Sequence, residues 1–179
     1  MKSSMTSLTV ALAGNPNAGK TTVFNALTGS HQHVGNWPGK TVERKHGQFQ
    51  HNGFQVEVID LPGTYSLSAY SIEEVVARDF ILNNKPDVVI VVVDASNLER
   101  NLYLVVQILE LQTRLILALN MSDRAEKLGY EIDYMTLSDQ LGGAPVVRVV
   151  ATRGEGIQEL KDTIVRFAEL GADVGLMSK

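Results

Sequence analysis

Eight consecutive residues, Gly14-Asn15-Pro16-Asn17-Ala18-Gly19-Lys20-Thr21, fit the pattern G-x-x-x-x-G-K-[ST]. In such a loop the glycines let successive backbone N–H groups wrap an anion, the lysine neutralises charge, and the terminal hydroxyl can ligate Mg2+. This is chemistry for the phosphates of a nucleotide. A helix starting near Lys20, with Thr22 in its first turn, adds the favourable end of its dipole. A Gly-rich turn ahead of a helix can also be purely structural, so the strand before it has to be weighed with it.

Other segments complement this loop. In Asp60-Leu61-Pro62-Gly63, the carboxylate can hold Mg2+ through a water and the Gly63 N–H can sense a γ-phosphate, although D-x-x-G alone is common. The polar stretch Ser30 to Lys40 contains Gly35, Trp37, Pro38 and Gly39 and leads to Thr41. It has no clear periodicity and reads as a loop able to order around Mg2+ and the γ-phosphate. In Asn120-Met121-Ser122-Asp123, the Asp123 carboxylate can accept two hydrogen bonds from a guanine edge, where adenine presents a mismatch. Ala151-Thr152-Arg153 can offer a backbone N–H to the guanine O6 but carries no distinctive residue types.

These segments need strands to hold them at one edge. Leu8 to Ala13, Val88 to Val93, Leu115 to Leu119 and Val146 to Val150 are aliphatic runs of strand length with helical patterns between them, which predicts a parallel sheet covered by helices. Val42 to Gln50 and Phe54 to Asp60 alternate apolar and polar around His51-Asn52-Gly53, a hairpin signal. The expected fold is therefore α/β of the P-loop type, a mostly parallel six-stranded sheet with one antiparallel strand and helices on both faces. Ser71 and Glu74 form a capping box for a helix to about Asn83. Asn97 to Leu111 reads as a helix with Leu98, Leu102, Val105 and Leu109 on one face. Ile157 to Leu170 reads as another, stopped at Gly171.

At 179 residues and 44% hydrophobic, the chain suits one domain. We read residues 1–171 as that domain and 172–179 as a tail. The formal charge of −4 is the wrong sign for bulk nucleic-acid binding. The absence of cysteine excludes disulfides and thiolate metal sites and fits a reducing compartment. The apolar stretch before Gly14 is too short for an export signal, and no run reaches membrane-helix length.

Taken together, these residues resemble the GTPase domain at the N-terminus of ferrous iron transport protein B, FeoB. The resemblance runs from about Leu8 to Leu170. Its most specific parts are Gly14-Asn15-Pro16-Asn17, Val34-Gly35-Asn36-Trp37-Pro38-Gly39, Asp60-Leu61-Pro62-Gly63-Thr64-Tyr65-Ser66, and Asp94-Ala95-Ser96-Asn97-Leu98-Glu99-Arg100-Asn101-Leu102. The resemblance implies a Ras-like G domain that binds GTP and GDP with Mg2+. Thr41 would be the Mg2+-ligating switch threonine, Ser30 to Thr41 (including Gly39 and Lys40) the first switch, and Leu61 to Ser71 the second. It also implies a K+ ion held by the Asn17 side chain with carbonyls at Gly35 and Trp37, in the electrostatic role of an arginine finger. Asn17, Lys20, Thr41 and Gly63 are then the catalytic set. Two departures matter. Thr64 stands where many GTPases carry a water-orienting Gln, which predicts slow hydrolysis, and Met121 stands where the common base motif has Lys.

The resemblance further implies partners in the same parent polypeptide, a helical regulatory domain and a membrane permease, with room for homo-oligomers through the parent. It places the domain at the cytoplasmic face of a bacterial inner membrane, as an excised piece of a longer protein. A ribosome- or RNA-associated GTPase would share the phosphate and guanine motifs but usually adds a basic module, for which there is no sign. A nucleotide-gated scaffold with incidental hydrolysis is a further reading. His31 and His33, on one side of an extended segment, are a candidate pair for Fe2+, against the commoner role of exposed loop histidines.

Overall fold

The run Val88–Asp94 is uniformly aliphatic because both its faces are covered: Val88 through Val93 are all buried. In the computed structural model, which describes residues 5–176 and their side chains as far as Gly171, this run is one strand of a larger sheet. The elements in chain order are β1 (Thr6–Gly14), α1 (Lys20–Thr28), β2 (Gln32–Asn36), β3 (Glu43–His51), β4 (Phe54–Asp60), α2 (Ile72–Asn84), β5 (Val88–Asp94), α3 (Leu98–Glu110), β6 (Leu115–Asn120), α4 (Ser122–Lys127), α5 (Tyr134–Gln140), β7 (Val146–Arg148) and α6 (Ile157–Leu176).

The sheet has seven strands in the order β2-β3-β4-β1-β5-β6-β7. β1 pairs parallel with β4 and β5, and β5, β6 and β7 continue in parallel. β3 is antiparallel to both its neighbours, so it alone runs against the rest. The hairpin between β3 and β4 turns at Asn52 and Gly53, with φ of 48° and 82°, the positive pair that an Asn-Gly turn supplies. Alternate residues of the central strands serve two cores. Val88, Ile90 and Val92 meet Phe24 and Leu27 of α1 and Leu160 and Ile164 of α6. Val89, Val91 and Val93 meet Phe80 of α2 and Leu104 and Ile108 of α3.

The structure departs from the sequence expectations in three places. The first is β2, a seventh strand inside the segment read as a loop. Its residues are mostly exposed, so no alternation betrays it, and it is held by backbone pairing to β3. The second is α3, whose buried face is Asn101, Leu104, Val105 and Ile108, with Leu98, Leu102 and Leu109 only partly covered. The face is rotated because the Asn101 amide is used inside, its oxygen accepting from the Asp94 N–H at 3.2 Å and its nitrogen donating to the Asn97 carbonyl at 2.8 Å. The third is α6, which runs past Gly171 to Leu176. Gly171 supplies room there: a Cβ would sit 1.4 Å from a guanidinium nitrogen of Arg114, whose other terminal nitrogen lies 3.4 Å from the Ala168 carbonyl. Residues 177–179 of the expected tail, with residues 1–4, lie outside the described residues.

α2 begins as read, with the Ser71 hydroxyl accepting the Glu74 N–H at 3.1 Å. The Glu74 carboxylate reaches back one residue further than a standard capping box, to the Tyr70 N–H at 3.1 Å. α4 and α5 were not marked by the sequence.

Candidate functional site

Register brings the chemistry to one edge. Leu12 pairs with Asp60, Gly14 with Val92, and Asp94 with Asn120, so the ends of β1, β4, β5 and β6 are level. β1 lies centrally, between β4 and β5, where the strand order reverses, which is where open α/β sheets form their ligand crevice.

The loop after β1 is shaped by close approaches. A Cβ on Gly14 would meet the Val92 carbonyl at 2.7 Å, and Gly19, at φ 83°, would meet the Asn120 Nδ2 at 2.2 Å. Asn17 is exposed at φ 68°, a left-handed conformation that Asn tolerates. Lys20 opens α1, followed by Thr21, exposed, and Thr22, half-buried. Asn15 is buried, and both side-chain amide atoms are without partners.

Asp60 and Gly63 come directly to this loop. Lys20 Nζ is ion-paired and hydrogen-bonded to Asp60 Oδ1. Burial pushes the Asp60 carboxyl above its usual range and outweighs the opposing pull of Lys20. We take the contact as an ion pair held at a desolvation cost. Leu61 continues the ladder, its N–H donating to the Leu12 carbonyl at 2.9 Å, and the Thr64 N–H donates to the Gly14 carbonyl at 3.1 Å. Gly63 lies against Pro16, at ordinary contact distance for an added Cβ.

The base-side residues are joined by one buried amide. Asn120 Nδ2 donates to the Ala18 carbonyl at 3.0 Å, and Asn120 Oδ1 accepts the Ala151 N–H at 3.1 Å. The Met121 Cε lies 3.4 Å from where a Gly19 Cβ would be, so this side chain rests on the phosphate loop. Ser122 is tied by its hydroxyl to the Leu119 carbonyl at 2.7 Å. Asp123 sits in the first turn of α4 and pairs with Arg153 at 3.4 Å. Ala151–Arg153 form a short 3-10 turn in which Ala151 is buried and Thr152 and Arg153 are exposed. Asn120 therefore acts as a brace between two loops.

The first switch segment is elsewhere. Gly35 lies in β2 opposite Arg44, three strands from β1, an offset of ~14 Å at ordinary strand spacing. The Trp37 carbonyl accepts the Lys40 N–H at 2.9 Å, while the ring is buried edge-on to Phe80 with centroids 5.5 Å apart. Gly35 and Trp37 are thus not gathered around Asn17 in this state, because backbone pairing holds them on the sheet edge. Thr41 and Gly39 are exposed in the turn that follows. His33 stacks on His46 of β3 at 5.1 Å rather than joining His31, and no cluster of three or more His, Asp or Glu fit for a metal occurs among the described residues.

Sequence reasoning missed the contacts of the segment Leu61 to Ser71, expected as the second switch. The Arg100 guanidinium lies 4.7 Å over the Tyr65 ring, and Gln107 Oε1 accepts the Leu67 N–H at 2.8 Å. α3 is therefore a platform for residues 65–67, and the run Asp94 to Leu102 contributes Arg100 to it. The unusual wording of that run was the available signal.

A central parallel strand ending in this phosphate loop, with the Asp-x-x-Gly turn beside it and the Asn120 to Asp123 strand end across it, defines a P-loop G domain. The family model for ferrous iron transport protein B matches residues 8–164, and the chain belongs to that family. It is 56% identical over 167 residues to the Fe(2+) transporter FeoB of Escherichia coli K12, covering 91% of this chain and 22% of that protein. The chain thus spans about a fifth of the length of the curated relatives it matches. The FeoB G domain of Methanococcus jannaschii superposes with a TM-score of 0.82 at 48% identity, covering 92% of this chain and 99% of that one. The cytosolic domain of the Thermotoga maritima FeoB in its GMPPNP form gives 0.87 at 51% identity, covering 90% and 64%. Among the described residues, no helix is long and apolar enough to cross a membrane.

Proposed function

We propose that this domain binds GTP and hydrolyses it to GDP and phosphate, and that its nucleotide state governs Fe2+ passage through a permease in the parent protein. The observation that carries the reading is the Asn120 brace, which fixes the phosphate loop, the Asp123 strand end and the Ala151 turn as one unit. Relatives crystallised in GDP and GMPPNP forms support the choice of ligand.

In this reading the backbone of Gly14 to Thr21 wraps the phosphates, and Lys20 leaves Asp60 to neutralise them. The Gly63 N–H faces the terminal phosphate, and Asp123 accepts from guanine while the Ala151 turn lies at its O6. The Thr21 hydroxyl, the Asp60 carboxylate through water, and Thr41 once the first switch has moved, form an oxygen set suited to Mg2+. The Asn17 amide, joined by the Gly35 and Trp37 carbonyls, suits K+. Bound there, these cations supply the charge neutralisation that phosphoryl transfer requires. Thr64 is buried and its N–H donates to the Gly14 carbonyl, so that N–H is not free to hold a water. We take residues 1–171 as the G domain, working with the helical regulatory and permease parts of the parent at the inner membrane's cytoplasmic face.

The test is GTP turnover in K+ against Na+ buffer. Turnover should rise several-fold in K+, Lys20→Ala should nearly abolish nucleotide binding, and Asn17→Ala should keep binding but lose the K+ effect. Equal turnover in the two salts would remove the K+ assignment, and no turnover in either would remove hydrolysis.

A further inference from the structure

Three residues among those described carry buried side-chain polar atoms without a hydrogen-bond partner: Asn15, Trp37 and Arg44. Asn15 belongs to the phosphate loop. The other two line a single cavity of about 260 Å3 between the first switch segment and α2. Trp37 is 7% exposed with its Nε1 unpaired, and the Arg44 Nε is likewise buried and unpaired. The two residues are packed together, the Arg44 guanidinium carbon 4.9 Å over the Trp37 ring. A buried N–H left unpaired carries its full desolvation penalty, so each gains if a small movement of its side chain brings it to an acceptor held in the cavity.

The lining specifies that acceptor. Indole, guanidinium and ammonium nitrogens donate and cannot accept, and the Asn83 and Asn84 amides in the lining can donate as well as accept, so acceptor atoms on a ligand find the most partners here. Lys40 adds a second positive charge to the lining, while the one carboxylate, Asp79, is engaged by Arg78 at 3.2 Å. Val75, Val76 and Phe80 supply an apolar wall. Net positive charge, a lining rich in donor side chains and an apolar wall fit a carboxylate on a compact apolar body better than a strongly hydrated inorganic anion. We propose that this cavity is a binding site for a small organic carboxylate.

The site has a regulatory consequence, which rests on the nucleotide-switch reading above. Trp37 and Lys40 belong to the segment that has to leave the sheet edge if Thr41 is to reach the nucleotide. A carboxylate held between them and α2 binds only the docked state and so holds the switch there. It would act as an inhibitor of turnover from outside the nucleotide site.

The chain has one tryptophan, so the indole N–H resonance of Trp37 reports on the site without ambiguity. Benzoate titrated into the GDP-loaded protein should shift that resonance downfield and saturate, with half-saturation at about 1 mM or below, as suits a ligand of this size. Benzyl alcohol, similar in shape but uncharged, and inorganic phosphate should each bind at least tenfold more weakly. Arg44→Met, which removes the donors, and Val75→Phe, which fills the wall, should each weaken benzoate at least tenfold while GDP affinity is kept. A linear response without saturation, equal affinity for benzyl alcohol, or normal benzoate binding in either folded variant would overturn the site. Exchange of GDP for GMPPNP should weaken benzoate at least fivefold, and unchanged affinity would overturn the regulatory consequence. Loss of GTP turnover with intact benzoate binding would instead count against the GTPase reading alone.

Discussion

The Asn120 side chain bonds to residues 102 and 31 positions away, and it is buried while doing so. Asn120→Ala would leave the Ala18 carbonyl and the Ala151 N–H without partners, a loss of roughly 2 kcal/mol or more of stability. It should also weaken guanine nucleotides more than tenfold, because both loops lose their common brace. Denaturant unfolding beside nucleotide titration checks both, and normal affinity in a destabilised variant would show the brace to be structural only. Asp123 makes a different kind of prediction. Its contact with Arg153 is a surface pair that contributes little, so the carboxylate stays available to a base. Asp123→Asn exchanges an acceptor for a donor and should move preference from GTP toward XTP, read by competition between the two. At this scale legibility followed residue type. For Gly14, Lys20, Asp60 and Asp123 the proposed chemistry rests on residue type and position, which the sequence displays. Asn120 was marked as part of a motif, but its task depends on two loops whose proximity only the fold creates, and so do the Arg100–Tyr65 and Gln107–Leu67 contacts.

Elements were readable where burial imposed a pattern and silent where it did not. The buried strands and the Asn-Gly hairpin stood out in the sequence because both depend on local residue choice. β2 did not, since an edge strand held by its backbone imposes little on its side chains. Gly171 misled for a related reason, as a glycine needed for room looks the same as one needed to stop a helix. The short helix α4, which presents Asp123, is tied to its surroundings by charge. Arg148 at the end of β7 bonds to Glu126 at 2.7 Å and to Glu155 at 3.1 Å. The hydrogen bond from Arg148 holds the Glu126 carboxyl below its usual range. A group with a depressed folded value adds stability that is present above its unfolded value and is lost as pH falls through the folded one. Arg148→Met should therefore be less stable than the parent chain at neutral pH, by a small margin since the groups are exposed. The difference should vanish in acid below the ordinary glutamate range. Thermal melts of both proteins across that range check this, and a difference that persists in acid would mean that packing of the Arg148 stem, and not charge, is responsible.

Across the whole molecule, two cores hold β4, β1, β5, β6 and β7 from both faces, β3 joins one of them through Phe49, and β2 hangs on one edge of the sheet outside them. Opening is expected where backbone ladders are solvent-facing and few apolar contacts lie behind them. Five residue pairs join β2 to β3, and beyond them the segment is anchored by Trp37, buried against Phe80, with Val42 partly covered beside the same core. Releasing this segment withdraws Trp37 from the core it shares with Phe80 and leaves the other core untouched, which would let the proposed switch move without unfolding the domain. The Thr41 turn has to cross from this edge toward β1 if it is to meet a nucleotide held by Lys20, and Trp37 must leave its pocket as it goes. Exchange of GDP for GMPPNP should then shift the emission of this single tryptophan to the red and make it more quenchable by iodide. Amide exchange across residues 32–36 should speed up in step, while that of β5 stays slow. Phe80→Ala, which removes the ring Trp37 packs on, should give the red-shifted emission with GDP already bound. If the spectra and the exchange rates are the same with both nucleotides, β2 is a fixed strand of this protein and the movement of the first switch has to be abandoned.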